Sequence, residues 1–166
     1  MSKSTKKLVT TALVAAIYAV LTLVLGAISY GPIQFRIAEL MVLLPFIKKD
    51  YTWGLTIGCF LANIIGPYGV PDIVFGTIAT FLSVYAVYLT SKIMKGKKYA
   101  LLVASIWPTL INAIVIGFML NIFFGLPLVL SMLQVGFGQF VVITILGVPL
   151  YKSLKSKYFK ILENTF

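Results

Sequence analysis

The sequence predicts an all-α integral membrane protein, one domain over residues 1–166, with six transmembrane helices and both termini cytoplasmic. Three observations predict it. Of 166 residues, 60% are hydrophobic and only 11% charged, whereas a soluble domain carries roughly 25% charged residues. Such a chain cannot cover a water-facing surface. Its apolar residues fall into six runs, punctuated by lysine clusters and Gly/Pro turns. The lysines, finally, occur in alternate connections only, and that alternation orients the runs.

The first run, about Leu8 to Leu25, follows MSKSTKK and so imitates a signal peptide. It outlasts the roughly 7–15 residues of a signal-peptide core and has no convincing small-x-small cleavage site. We therefore read it as a retained first helix, ended by GAISYGP. The second helix runs from Phe35 to Ile47. It is short against the roughly 20 apolar residues of a span, and Pro45 disturbs its last turn. The third, Tyr51 to Ile65, is also short and is closed by GPYGVP. The fourth, Asp72 to Met94, ends in KGKK. The fifth covers Tyr99 to Phe124, before GLP. The sixth, Leu128 to Tyr151, precedes KSLKSKYFK. Both short helices are kept because the charge pattern requires them. Every lysine lies at the N-terminus, between the second and third helices, between the fourth and fifth, or at the C-terminus. The connections near 26–34, 66–71 and 125–127 contain none. Dropping one helix would scatter lysines onto both sides of the membrane.

Several function classes fall away. The net charge of +10 sits in short clusters between apolar runs, not along one polar face, so it does not indicate nucleic acid. The lone Cys59 permits no intramolecular disulfide and packs as a small hydrophobe. With no histidine, four acids and one cysteine, neither a protein-built metal site nor a cofactor is expected. No Walker A motif is present, so ATP-driven work would fall to a partner. Asp50, Asp72 and Glu163 lie on three separate segments, which argues against a metal-dependent membrane enzyme.

With the lysine-free connections outside, the polar residues gather in one leaflet. Arg36, Glu39 and Asp72 lie near the outer ends of the second and fourth helices, and Asn63 near that of the third. Asn121 lies near the outer end of the fifth, Gln134 in the outer third of the sixth, and Asn112 and Gln139 closer to the middle. Ionisable groups inside a membrane cost at least a few kcal/mol each, so they face a cavity or a partner. A polar pocket open to the outside is predicted. Arg36 and Glu39, three apart, share a face. Asn121 is about half a turn from Asn112, and Gln139 is about 140° from Gln134. One of each pair should line the pocket, and we favour Asn112 and Gln134. Blander readings stay open. Arg36 and Glu39 could form an interfacial ion pair with Arg36 snorkelling. Asp72, after Pro71, could cap its helix. Asn63, Asn112 and Gln134 could be interhelical glue. Phe35, Tyr68 and Trp107 could serve as core or interfacial belt. On the first helix, Ala12 with Ala16 and Ala15 with Ala19 each form A-x-x-x-A, as Gly54 and Gly58 do in small-residue form on the third. Such spacing lets helices approach closely, inside the protein or against a partner.

YGPIQFRIAELMVLLPF (30–46), GLTIGCFLANIIGPYGVPDIVFGTIAT (54–80) and the first helix's alanines together resemble the QueT family. QueT proteins are substrate-binding S components of energy-coupling factor (ECF) transporters, and the resemblance covers nearly the whole chain. It implies an S-component-like six-helix bundle in a bacterial cell membrane, binding a vitamin-like solute with high affinity from outside. It also implies docking through the first helix on a transmembrane coupling (T) protein, two ABC ATPases driving the cycle, and toppling of the S component in the lipid bilayer. The docking role is carried to Ala12 and Ala16, with Ala15 and Ala19 fitting the spacing equally. The implied solutes are queuosine precursors, 7-cyano- or 7-aminomethyl-7-deazaguanine, or queuine. Glu39 would accept the N1–H and N2–H donors of such a base, and Arg36 or Gln34 would donate to O6. Asp72 would face an aminomethyl ammonium, and Phe35 or Trp107 would stack on the ring. Two rivals are an S component for another vitamin-like molecule and a stand-alone secondary carrier using Glu39 or Asp72. Such carriers usually show inverted repeats, and the two halves show none. A structural membrane subunit, with no ligand, is the third.

Overall fold

A computed structural model describes residues 2–155. The part of the expected C-terminal tail beyond residue 155, with Glu163, lies outside the described residues. All elements are helical, and no strand occurs among the described residues. Ser2 opens α1 (Lys3–Val24), its Oγ accepting from the Thr5 amide at 3.1 Å. After a single turn, Gly26–Ser29, the chain continues through α2 (Ile37–Phe46) and α3 (Tyr51–Ile65). α4 (Gly69–Ile93), α5 (Ala100–Phe124) and α6 (Leu128–Lys155) complete the bundle. Four helices, α1, α4, α5 and α6, are long and apolar enough to cross a membrane, while α2 and α3 are shorter apolar helices.

α2 differs from the expected α-helix over 35–47: it is a 3₁₀ helix and begins two residues later. Gln34 takes a positive φ of 52° and Arg36 is extended, so the chain enters late. Pro45 would clash with the carbonyl four residues back in an α-helix. A 3₁₀ helix climbs about 2.0 Å per residue against 1.5 Å, so ten residues reach about 20 Å rather than about 15 Å. With three residues per turn, Glu39, Val42 and Pro45 stack on one side, and all three are buried. α4 and α6 carry π-helical stretches at Asp72–Gly76 and Phe140–Gly147. Wide turns of this kind are frequent at functional positions.

Helices α1 and α3 lie in close contact because α3 presents glycine where α1 presents backbone. A Cβ on Gly58 would sit 2.8 Å from the Ala15 carbonyl oxygen, and one on Gly54 would sit 2.9 Å from Val14. Ala15 faces this contact and, like Ala19, is buried, while Ala12 and Ala16, on the adjoining flank of α1, are exposed. Tyr18, Leu43, Leu55, Val84 and Ile143 form the main core, and Ile116, Met119, Leu120 and Val135 a second one under α5 and α6.

The connections sort into two ends. Lys7 pairs with Asp50 at 2.8 Å, tying the start of α1 to the α2–α3 connection. Lysines of 48–49, 92–98 and 152–155 surround one cavity at the same end. At the other end the lysine-free connections meet. Tyr30 packs edge-on against Tyr68 with centroids 6.3 Å apart, and Tyr68 against Phe124 at 5.2 Å.

Candidate functional site

The chain between α1 and α2 positions the site. Gln34, with its positive φ, lets the backbone double back. Its amide donates to the Gly31 carbonyl at 3.0 Å and its carbonyl accepts from the Arg36 amide at 2.8 Å. Helix α6 is packed hard against this loop: a Cβ on Gly138 would lie 2.1 Å from the Ile33 carbonyl oxygen. Phe35 packs edge-on against Phe137 of α6, centroids 6.2 Å apart, and touches the main core.

Arg36, thus turned inward, is 4% exposed. Its Nη2 donates to Asp72 Oδ2 at 2.9 Å and its Nε to the Ser29 carbonyl at 3.4 Å. The guanidinium lies over the Tyr30 ring, 5.2 Å from its centroid. Asp72 opens the π-helical stretch of α4 and is fully buried, and its carboxylate meets Arg36 instead of capping the helix. The pair therefore joins α4 to the α1–α2 loop. Arg36 does not pair with Glu39. That carboxylate, also buried, accepts a hydrogen bond on Oε1 from the Tyr18 hydroxyl of α1.

Asn63 of α3 reaches the same place. Its Nδ2 donates to the Asp72 carbonyl at 2.8 Å and to Cys59 Sγ at 3.4 Å, and Thr80 of α4 donates to that sulfur at 3.1 Å. Gly76 makes the space, since a Cβ there would fall 2.5 Å from Asn63 Nδ2 and 2.6 Å from Asp72 Oδ1. Four elements thus converge. Around them, Gln34 Nε2, Glu39 Oε2, Asn63 Oδ1 and Asp72 Oδ1 are all buried without a hydrogen-bond partner. A buried polar group left unpaired costs about 1–3 kcal/mol. Three unpaired acceptors, two of them carboxylate oxygens, and one amide donor form a set suited to a ligand rich in N–H groups.

Tyrosines roof the group at the lysine-free end. Tyr30 donates to the Ala62 carbonyl at 2.8 Å and Tyr68 to the Tyr30 carbonyl at 2.9 Å. A Cβ on Gly66 would strike the Tyr30 ring at 2.8 Å, so that glycine lets the roof lie flat. The expected pocket open to the outside is here a covered polar group.

The remaining candidates are placed elsewhere. Asn112 of α5, 5% exposed, donates to Gln139 Oε1 of α6 at 3.1 Å, with Ser105 and Thr144 hydrogen-bonded at 3.1 Å between the same helices. Gln134 is half-buried and takes no part in that pair. Asn121 donates to the Leu126 carbonyl at 2.7 Å and closes the end of α5. Trp107 is 42% exposed, and its Nε1 donates to Thr90 at 3.0 Å, so it is not brought to the Arg36 group. Tyr18 and Tyr30 escaped the sequence reading, which gave Cys59 a packing role only and favoured Gln134 over Gln139. A tyrosine in an apolar run reads as core, although a buried hydroxyl needs a partner, and that need was the available signal for Tyr18.

The profile of the QueT transporter family matches residues 8–156. The queuosine precursor transporter QueT of Lactococcus lactis subsp. cremoris (strain MG1363) is 45% identical over 85 residues, which cover 49% of this chain and 50% of that relative. The chain therefore aligns with about half the length of this curated relative. No solved structure matches it.

Proposed function

The chain belongs to the QueT transporter family, and from that premise we propose that it is the S component of an ECF importer for a queuosine precursor. Membership makes it a transport protein rather than an enzyme. In the proposal α2 and α3 join the four long helices as spans, giving six, with both termini and all lysines on the cytoplasmic side of a bacterial cell membrane. The gathering of the lysine segments at one end supports that topology.

One observation carries the ligand reading: four unpaired buried polar atoms around the Arg36–Asp72 pair. A 7-deazaguanine presents N1–H and 2-amino donors side by side to Glu39. Its O6 accepts from Gln34 or Arg36. An aminomethyl substituent suits the free oxygen of Asp72, and Asn63 Oδ1 accepts a further N–H. Phe35 is the stacking candidate beside this group, while Trp107, Asn112 and Gln134 lie outside it. Entry requires Tyr30 and Tyr68 to part.

For coupling, the exposed Ala12 and Ala16 supply a smooth face for the T protein, because Ala15 is already used against α3 and Ala19 is buried. Two ABC ATPases would then provide the energy. The test is a binding titration of purified protein with the cyano and aminomethyl deazaguanines, queuine and guanine. Tight binding of a deazaguanine, lost in Glu39→Gln with the fold intact, is expected. Equal affinity in Glu39→Gln removes the site assignment, and no binding of any of the four removes the substrate. Uptake by the protein alone in vesicles, without ATP, overturns the importer reading.

A further inference from the structure

At the opposite end of the bundle from the polar group lies a cavity of about 660 Å³. Among the described residues, seventeen line it, of which eight are lysines and none is acidic. They come from four parts of the chain, with Lys49 after α2, Lys92 on α4, Lys95, Lys97 and Lys98 in the α4–α5 connection, and Lys152 on α6. Two of them crowd a single ring. Lys49 Nζ and Lys92 Nζ lie 5.7 and 5.8 Å from the centroid of Tyr88. Like charges gathered around one hollow repel one another, screened at physiological salt over about 8 Å. Cations from four parts of the chain around one hollow make it a favourable place for an anion.

We propose that this cavity holds the phosphate headgroup of an anionic phospholipid. The volume falls within the roughly 300–1,000 Å³ of small-molecule sites. The walls argue for a lipid rather than a free phosphate. Phe46, Leu101 and Tyr151 also line the hollow, and Ile93 and Leu102, next in the chain to lining residues, are 78% and 49% exposed. A headgroup in the lysine ring would thus have its acyl chains running along apolar helix surface that water cannot cover favourably. Basic hollows between membrane helices suit such headgroups by charge and depth. The site is separate from the Arg36 group and does not depend on the nature of the transported solute.

The test uses the full chain in a zwitterionic detergent, with short-chain phosphatidylglycerol, short-chain phosphatidylcholine and inorganic pyrophosphate titrated separately. Native mass spectrometry reads stoichiometry, and thermal unfolding reads affinity. Phosphatidylglycerol should bind saturably at one or two per chain, at least tenfold more tightly than phosphatidylcholine. Lys92→Gln/Lys98→Gln should abolish that preference, and Lys92→Arg/Lys98→Arg should retain it. Lys6→Gln/Lys7→Gln removes equal charge from residues that do not line the cavity and should leave binding unchanged. Equal binding of both lipids, or equal loss in the Lys6/Lys7 variant, overturns the proposal. Pyrophosphate binding as tightly as phosphatidylglycerol overturns the lipid source and makes this a soluble-anion site.

Discussion

The carboxylate of Glu39 has two oxygens and one partner. Tyr18 holds Oε1, and Oε2 meets no donor. Removing the tyrosine hydroxyl should therefore deprive a buried carboxylate of the one side-chain donor it meets among the described residues. Tyr18→Phe is expected to lower stability by about 1–3 kcal/mol and to weaken ligand binding, measured by thermal unfolding and titration in one preparation. Arg36 and Asp72 present the complementary case. Breaking a buried pair by removing one partner costs about 3–5 kcal/mol, because the other charge is left uncompensated. Arg36→Ala should show that loss. The paired replacement Arg36→Met/Asp72→Leu should recover most of it while still failing to bind solute. Stability and binding would then separate, and a double variant that binds normally would contradict the site.

Among the elements, α1 shows the sharpest division of labour. Its buried stripe (Val14, Ala15, Tyr18, Ala19, Thr22) seats it on α3 and α2, and its Ala12/Ala16 face is left uncovered. Bulk added to the two faces should have opposite consequences. Ala15→Trp drives a large ring into the α3 backbone and should destabilise the fold by about 1–3 kcal/mol or more. Ala16→Trp should leave unfolding and solute binding unchanged yet abolish uptake in vesicles reconstituted with the coupling protein and ATPases. If Ala16→Trp transports normally, that face is not the docking surface. The 3₁₀ form of α2 matters in a different way. It aligns Glu39, Val42 and Pro45 along one edge, so the carboxylate lies above two apolar residues that seal it from the other end.

At the scale of the molecule, the two ends differ in chemistry, and labelling can read that difference. In a Cys59→Ala background, single cysteines at Gly96 and at Pro67 should react with impermeant reagents from opposite sides of the membrane, Gly96 from the cytoplasm. Reaction of both from one side would overturn the topology. Much of this arrangement was legible in the sequence. Apolar runs and lysine clusters are local in the chain, so the helical class and the sorting of connections into two ends could be read directly. The approach of α1 to α3 was also foreshadowed by Ala15, Ala19, Gly54 and Gly58. Partnerships across the bundle were not legible. Arg36 lies three residues from Glu39 but pairs with Asp72, thirty-six away, because the extended backbone at Arg36 turns its side chain out of the α2 register. The helical type of α2 was hidden too, since i and i+3 share a side in both helix forms. Phase alone separated Gln134 from Gln139 without fixing how α6 is rotated, and the Asn112 contact supplies that rotation. One further consequence follows from Gly138. Its contact with the Ile33 carbonyl works as a mechanical stop: the loop bearing Gln34 and Arg36 can lift away from α6 but cannot sink towards it. Gly138→Ala should jam that stop and cost both stability and solute affinity. From this point α6 runs on for about 25 Å to Lys155. It is a lever whose short arm bears on the roofed polar group and whose long arm reaches the lysine ring on the far face.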